Sequence, residues 1–388
     1  MSQDGAKRRN SLIDAVRALA LAGVIMVNML TISGLAFMTP DMRAEALGTV
    51  DQAVWGFLNL FFEGKALAAF SFLFGFSFSL ILARAHERGS TCTAMVLRRM
   101  AVLGAIGVVN AVFLFWADIL MTYAALGLAL PLAARLPVRV VAGLGAGLIA
   151  AGPVALALGG FDAPQPVPQG LIENLEAYAA PDYAATVGQN VAMIASASEG
   201  ADSLLVLRFF LLSGLFLLGL AAGRANLLAQ IETLRGAMLR AGGVLFAVGL
   251  AMKLALYVGP TPTGAGLVLH LDTVLMALGY LMLIAAALQA GAATWLRKLL
   301  APLGRMSLTG YLMSAALGQA VFHGWGLGLI GAVGTLAVLG VALAIYAVLL
   351  GFAHLWFRHC LFGPWEWLWR SLSRLRAQPL LRGAPAHG

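Results

Sequence analysis

Residues 61–80 read FFEGKALAAFSFLFGFSFSL, an apolar run interrupted only at its start by Glu63 and Lys65, with Gly64 between them. No further charge appears until Arg84. Such a stretch crosses about 30 Å of hydrocarbon at about 1.5 Å per residue, as an α-helix does. The chain repeats the pattern at 12–33, 64–83, 100–116, 118–134, 138–160, 203–222, 237–258, 267–289, 306–322 and 328–357. Of the 388 residues, 61% are hydrophobic and 11% charged, far from the soluble average. The expected fold is all-α, a polytopic membrane helix bundle of about ten transmembrane helices in one domain, 1–388.

Working outward from Gly64, a single helix from 52 to 83 would run about 48 Å, too long for a bilayer at modest tilt. The chain must break, and glycine is the residue that breaks easily. The reading places an outer interfacial helix at 52–62, starts the second span at Lys65, and sets Glu63 at that span's positive N-terminal end. It also lets Lys65 reach toward Asp118.

The net charge of +8 does not point to nucleic acid once the basic residues are placed on the topology. Most of them fall in alternate linkers: Lys7–Arg9, 84–99, 135–139, 224–240, 297–305 and 358–382. The opposite loops receive only Arg43, while 161–202 holds Asp162, Glu173, Glu176, Asp182, Glu199 and Asp202 without a Lys or Arg. This positive-inside pattern puts both termini in the cytoplasm. Cys92 and Cys360 then lie on the reducing side, so no disulfide is expected. Segment 161–202 reads as an ordered outer cap. Within 361–376, GPWEWLWRSL puts Trp365, Leu368, Trp369 and Leu372 on one face, as in a cytoplasmic interfacial helix.

Charges inside spans cost about 2.5–3.5 kcal/mol each at a helix centre and should pair or face water. Glu63, Lys65, Asp118, Arg208, Lys253, His270, Asp272 and His323 all map to the outer half, with Asn28 below them. A polar cavity open to the outer face is the expectation. Asp14 and Arg17, one turn apart at the cytoplasmic end, read either as a local salt bridge or as a pair whose arginine meets the phosphates of a cytoplasmic donor. Arg98 and Arg99 lie on the same side. Ser71, Gly75 and Ser79 form a small-residue packing stripe. No zinc spacing or glycine-rich phosphate loop occurs, so no metal is expected.

Five ordered blocks then carry a resemblance: IDAVRALALAGVIMVN (13–28), FFEGKALAAFSFLFGFSFSL (61–80), RRMAVLGAIGVVNAVFLFWADILMTYAALG (98–127), LAPLGRMSLTGYLMSAALGQAVFHGWGLGLIG (300–331) and FGPWEWLWRSL (362–372). Together they resemble the bacterial YeiB-like family, the domain-of-unknown-function 418 family, over about residues 8–374. That family is similar to the transmembrane acyltransferase superfamily, whose members move an acyl group from a cytoplasmic acyl-CoA to an acceptor across the membrane. By this resemblance Asp14 and Arg17 match the "D-x-x-R-G" opening, and Asn28 the polar residue closing the first helix.

The resemblance implies a multi-pass protein of the bacterial inner membrane with no tightly bound cofactor and acyl-CoA as donor substrate. Its partners would be the lipid bilayer and a small-molecule, glycan or lipid-linked acceptor, with a homodimer left open. Acyl transfer needs a base and oxyanion donors. The loop after the first span contains no histidine, which leaves Asp118, Glu63, Lys65, Asn28, His270 and His323 as the catalytic candidates. Arg17, Asp14, Arg98 and Arg99 are the donor-binding candidates, and Arg208, Lys253, Asp272 and Tyr123 those for the acceptor. A transporter using the same charges is the alternative, and a non-catalytic accessory protein the next.

Overall fold

The computed structural model describes residues 3–86, 92–158, 175–199, 203–258 and 270–383. The proline-rich start of the expected cap, 161–174, and the side chain of Cys92 lie outside the described residues. Among the described residues there is no strand, only an isolated bridge between Cys360 and Leu381. The helices are α1 (Gln3–Ile32), α2 (Pro40–Ala46), α3 (Thr49–Phe61), α4 (Lys65–His86), α5 (Cys92–Phe113), α6 (Leu120–Gly127) and α7 (Leu130–Ala133). They continue with α8 (Val138–Leu158), α9 (Leu175–Ala179), α10 (Tyr183–Glu199), α11 (Ser203–Arg224), α12 (Ile231–Val258) and α13 (Leu271–Leu288). The last four are α14 (Thr294–Arg305), α15 (Ser307–Phe322), α16 (Thr335–His359) and α17 (Pro364–Arg374).

Among the described residues, eight stretches are long and apolar enough to cross a membrane, and they correspond to eight of the ten expected spans. The other two differ for local reasons. The run 118–134 is divided into α6 and α7 because Pro131 has no N–H to continue the ladder. The run 306–322 forms α15, only 16 residues long. The outside is apolar: Val140 and Leu144 on α8, Val244 and Val248 on α12, and Val348 and Leu355 on α16 are all exposed. Water does not tolerate so continuous an apolar exterior, and hydrocarbon does. This is an integral membrane protein.

The expected break is present. α3 ends at Phe61, Gly64 takes φ +75°, and α4 begins at Lys65. A side chain at Gly64 would carry the strain of a left-handed backbone and also press on Thr273.

α1 is the central post, flanked by α4, α13, α14, α15 and α16. α4 packs on α11 and α11 on α8, while α12 pairs with α13. Small residues bring these helices together. Gly75 on α4 faces the Phe216 carbonyl and Gly219 on α11 faces that of Phe72, so any Cβ at either would collide with backbone. Ser71, earlier on the same stripe, bonds the Tyr123 hydroxyl at 2.7 Å.

One element was not expected. Residues 294–305, read from sequence as a cationic linker, form α14, whose Leu296, Leu300 and Leu303 pack into the core. Gly304 lets α14 approach the backbone of α1 at Asp14.

Candidate functional site

Spacing on α1 builds the first wall of a large cavity. Asp14, Arg17, Leu21 and Val24 recur at three- and four-residue intervals and so share one face. They line a cavity of about 1070 Å³. From Ser11 to Val24 it follows α1 for about 20 Å. α4 contributes Phe70, Leu73, Phe74 and Ser77, an apolar wall with one hydroxyl. Arg99, Arg297, Lys298, Arg305 and Arg370 stand around the mouth, and Ile119, Leu120, Tyr123 and Tyr311 line the inner end.

Arg17 ties this wall together. Its guanidinium donates to Asp14 Oδ1 at 3.0 Å, to the Gly304 carbonyl at 3.1 Å and to Ser77 Oγ at 2.7 Å, joining α1, α14 and α4. The Asp14–Arg17 contact is an ion pair within one turn of α1. Arg99 joins the cavity, with its guanidinium 4.1 Å above the Trp369 ring, whereas Arg98 is exposed and lies outside the lining. On a helix, neighbouring residues point about 100° apart, so the two arginines cannot share a face.

α17 closes one side of the mouth. Trp369 Nε1 donates to the Arg99 carbonyl at 2.8 Å. Buried Glu366 accepts from Leu308 N at 2.8 Å, from Thr309 N at 3.2 Å and from Thr309 Oγ1 at 2.6 Å, capping the first turn of α15. Burial pushes the Glu366 carboxyl up, and the bonds from Thr309 and Leu308 pull against that rise. The apolar face of α17 is therefore divided: Trp365 and Trp369 pack on the protein and Leu372 is exposed.

Asp118 lies in the turn between α5 and α6. The chain after α5 turns back along it, so the Asp118 carboxylate lies beside Gly107 and accepts from Asn110 Nδ2 at 2.7 Å and Met121 N at 2.9 Å. Tyr311 Oη is 3.5 Å from it. Asp118 thus stands just behind the inner end of the cavity, beside Ile119 and Leu120. Tyr123 is fully buried there, edge-on to Phe74 and Phe216.

The expected contact between Lys65 and Asp118 is not made. Buried Lys65 donates to the Asn59 carbonyl at 3.1 Å and lies within electrostatic reach of Glu63, Asp272 and Lys253. Exposed Glu63 accepts from Asn59. His270, also in reach of Asp272, Lys253, Arg208 and Lys65, precedes α13 with φ +72°, so the helix begins after it and the imidazole is free of the helix register. Asp272 is buried, with Thr273 Oγ1 at 3.4 Å. None of these six lines the large cavity, which opens among the cations of the other end instead of among these charges. Asn28 lies one turn beyond Val24 on α1, half-buried and outside the lining.

His323 belongs to a third place. Its ring lies 4.7 Å from that of Tyr178, its Nδ1 is 3.4 Å from Thr186 Oγ1, and burial lowers its pKa from 6.5 to about 4. α9 and α10, the described part of the expected cap, hold it there through Tyr178, whose hydroxyl donates to Asn190 Oδ1 at 2.9 Å. Sequence reasoning missed Arg297, Tyr311 and Glu366. The leucine spacing in TWLRKLLAPLGR was the signal that would have turned the linker into a helix.

A family model described as "Protein of unknown function (DUF418)" matches residues 222–376, which contain α14 to α17. An uncharacterized 39.9 kDa protein in the amylase 3' region of Bacillus acidopullulyticus is 30% identical over 399 aligned positions, covering 96% of each chain. This chain belongs to the DUF418 family. Family relatives include uncharacterized protein YxaH of Bacillus subtilis (strain 168), 27% identical with 96% of each chain covered. Uncharacterized protein YeiB of Escherichia coli (strain K12) is 28% identical, covering 96% of this chain and 98% of its own. No solved structure matches this DUF418 chain.

Proposed function

We propose that this protein is an acyltransferase of the bacterial cytoplasmic membrane, moving an acyl group from cytoplasmic acyl-CoA to an extracytoplasmic or lipid-linked acceptor. One observation supports it above the others: a cavity with a cationic mouth and an apolar shaft ends at buried hydroxyls beside a carboxylate. That sequence of surfaces matches the donor, which carries phosphates at one end, an acyl chain at the other and a thioester between them.

In this reading the donor's phosphates rest at the mouth near Arg17 and Arg99, and the thioester reaches Tyr123 and Tyr311. Asp118 takes the proton from the acceptor hydroxyl or amine, directly or through Tyr311. The acceptor atom bonds to the acyl carbon, a tyrosine hydroxyl donates to the developing oxyanion, and the C–S bond breaks as CoA leaves with a proton. The cluster of Glu63, Lys65, Arg208, Lys253, His270 and Asp272 faces the acceptor's side, where its cationic excess suits an anionic headgroup.

A transporter of a small polar or peptidic metabolite would use that same cluster as its substrate site. The test is purified full-length protein in nanodiscs with acyl-CoA. The acyltransferase reading expects a CoA-dependent thermal shift and release of free CoA that accelerates with membrane extract as acceptor. Neither shift nor release, together with gradient-driven flux in liposomes, would replace it with the transporter.

A further inference from the structure

Six cationic side chains line the large cavity against two carboxylates, Asp14 and Glu366. Both carboxylates are engaged, Asp14 by Arg17 and Glu366 by the first turn of α15. Three of the cations are accounted for as well. Arg17 has three acceptors. Arg305 is exposed, stacks over Phe357 at 4.2 Å and donates to the Leu361 carbonyl. Lys298 is exposed.

Arg297 differs. It is only 7% exposed, yet the single hydrogen bond it makes among the described residues is to Thr294 Oγ1 at 3.3 Å. A guanidinium carries five N–H donors and remains charged at any physiological pH. Its other nitrogens are not enclosed by protein and border the cavity, where an anion can complete them. Its place in the lining directs those donors at the cavity.

We propose that Arg297 is the principal anion-binding residue of this cavity, and that the ligand is a phosphoester or pyrophosphate carrying an apolar tail. The planar fork of arginine matches two phosphate oxygens at once, and the remaining mouth cations suit a ligand with more than one negative charge. The aromatic and leucine wall of α4 accepts the tail. The inference uses the cavity of the acyltransferase reading but not its chemistry: a soluble CoA thioester and a membrane lipid phosphate present the same group.

The test measures binding to full-length protein in nanodiscs, with CoA and dodecyl phosphate as separate probes and pantetheine as the phosphate-free control. Wild type should bind at least one phosphate probe and not pantetheine. Binding of CoA supports the acyltransferase reading too. Binding of dodecyl phosphate alone keeps the Arg297 site and removes acyl-CoA as its ligand. R297Q should weaken the bound probe about tenfold or more and R297K by less, since lysine offers a point charge without the fork. R98Q, outside the cavity, should bind as wild type.

A ligand site also fixes the sign of the stability change. Without probe, R297Q should melt at or above the wild-type temperature, because the charge removed has, among the described residues, no carboxylate partner and one weak bond to Thr294 Oγ1. If R297Q melts lower and binds the probe normally, Arg297 is a packing residue. If wild type binds neither phosphate probe, the proposal fails. Should R297Q not purify, R297K with unchanged affinity and an unchanged midpoint overturns it equally.

Discussion

At the cation-rich end of the bundle, charged side chains surround a volume; at the opposite end they surround one another. Arg17, Arg99, Arg297 and Lys298 line about 1070 Å³ of space. Lys65, Lys253, Asp272 and Glu63 sit close enough to feel each other and border none of that space. Both ends carry charge that a bilayer penalises. The first pairs that charge with an apolar shaft, so the proposed function puts the donor there and the acceptor at the other.

The largest expected effect comes from removing the tie between α1, α14 and α4. Arg17→Gln leaves Asp14 without its partner in a partly buried position, and should cost about 2–4 kcal/mol of stability. The measurement is the melting temperature in detergent, and Asp14→Asn in the same chain should recover part of the loss. A wild-type midpoint in the single variant would mean that the pair is ornamental.

Next is Asp118→Asn, which keeps the shape but not the basicity. Transfer should fall about 100-fold while the CoA-induced thermal shift is unchanged. Retained transfer would remove Asp118 from the chemistry.

Lys65→Met sharpens the comparison directly. If the two ends divide donor from acceptor, acceptor KM should rise about tenfold with donor affinity unchanged. A matched loss of donor affinity would join the ends into one site.

The smallest effect is a pH slope. His323 is held neutral by burial, with its pKa lowered from 6.5 to about 4. Its contribution to stability is therefore present above pH 6.5 and lost as pH falls toward 4, by about 1 kcal/mol near pH 6. His323→Asn should flatten that part of the pH–melting curve without altering transfer at pH 7. An unchanged slope would show that the imidazole titrates normally.

The membrane fold and the break at Gly64 were legible because they follow from lengths: about 20 residues span a bilayer and about 32 in one helix are too many. The Asp14–Arg17 pair was legible because three-residue spacing puts both on one face. The partners of Asp118 were not, since nothing local shows that its turn folds back along α5 to Gly107 and Asn110. α14 was hidden by its own charges. Arg297, Lys298 and Arg305 read as topology markers, and the leucines between them as too few to span. The cavity at the other end was hidden for the same reason: charges can be counted in a sequence, whereas empty volume depends on how α1, α4, α14 and α15 lean together.

The most direct test of the account is a cryo-electron microscopy map of the full-length protein in nanodiscs with a non-hydrolysable acyl-CoA analogue. The account predicts density along α1, with phosphates between Arg17 and Arg297 and the thioester position beside Tyr123 and Tyr311. An empty cavity with density instead among Lys65, Lys253 and Asp272 would contradict it.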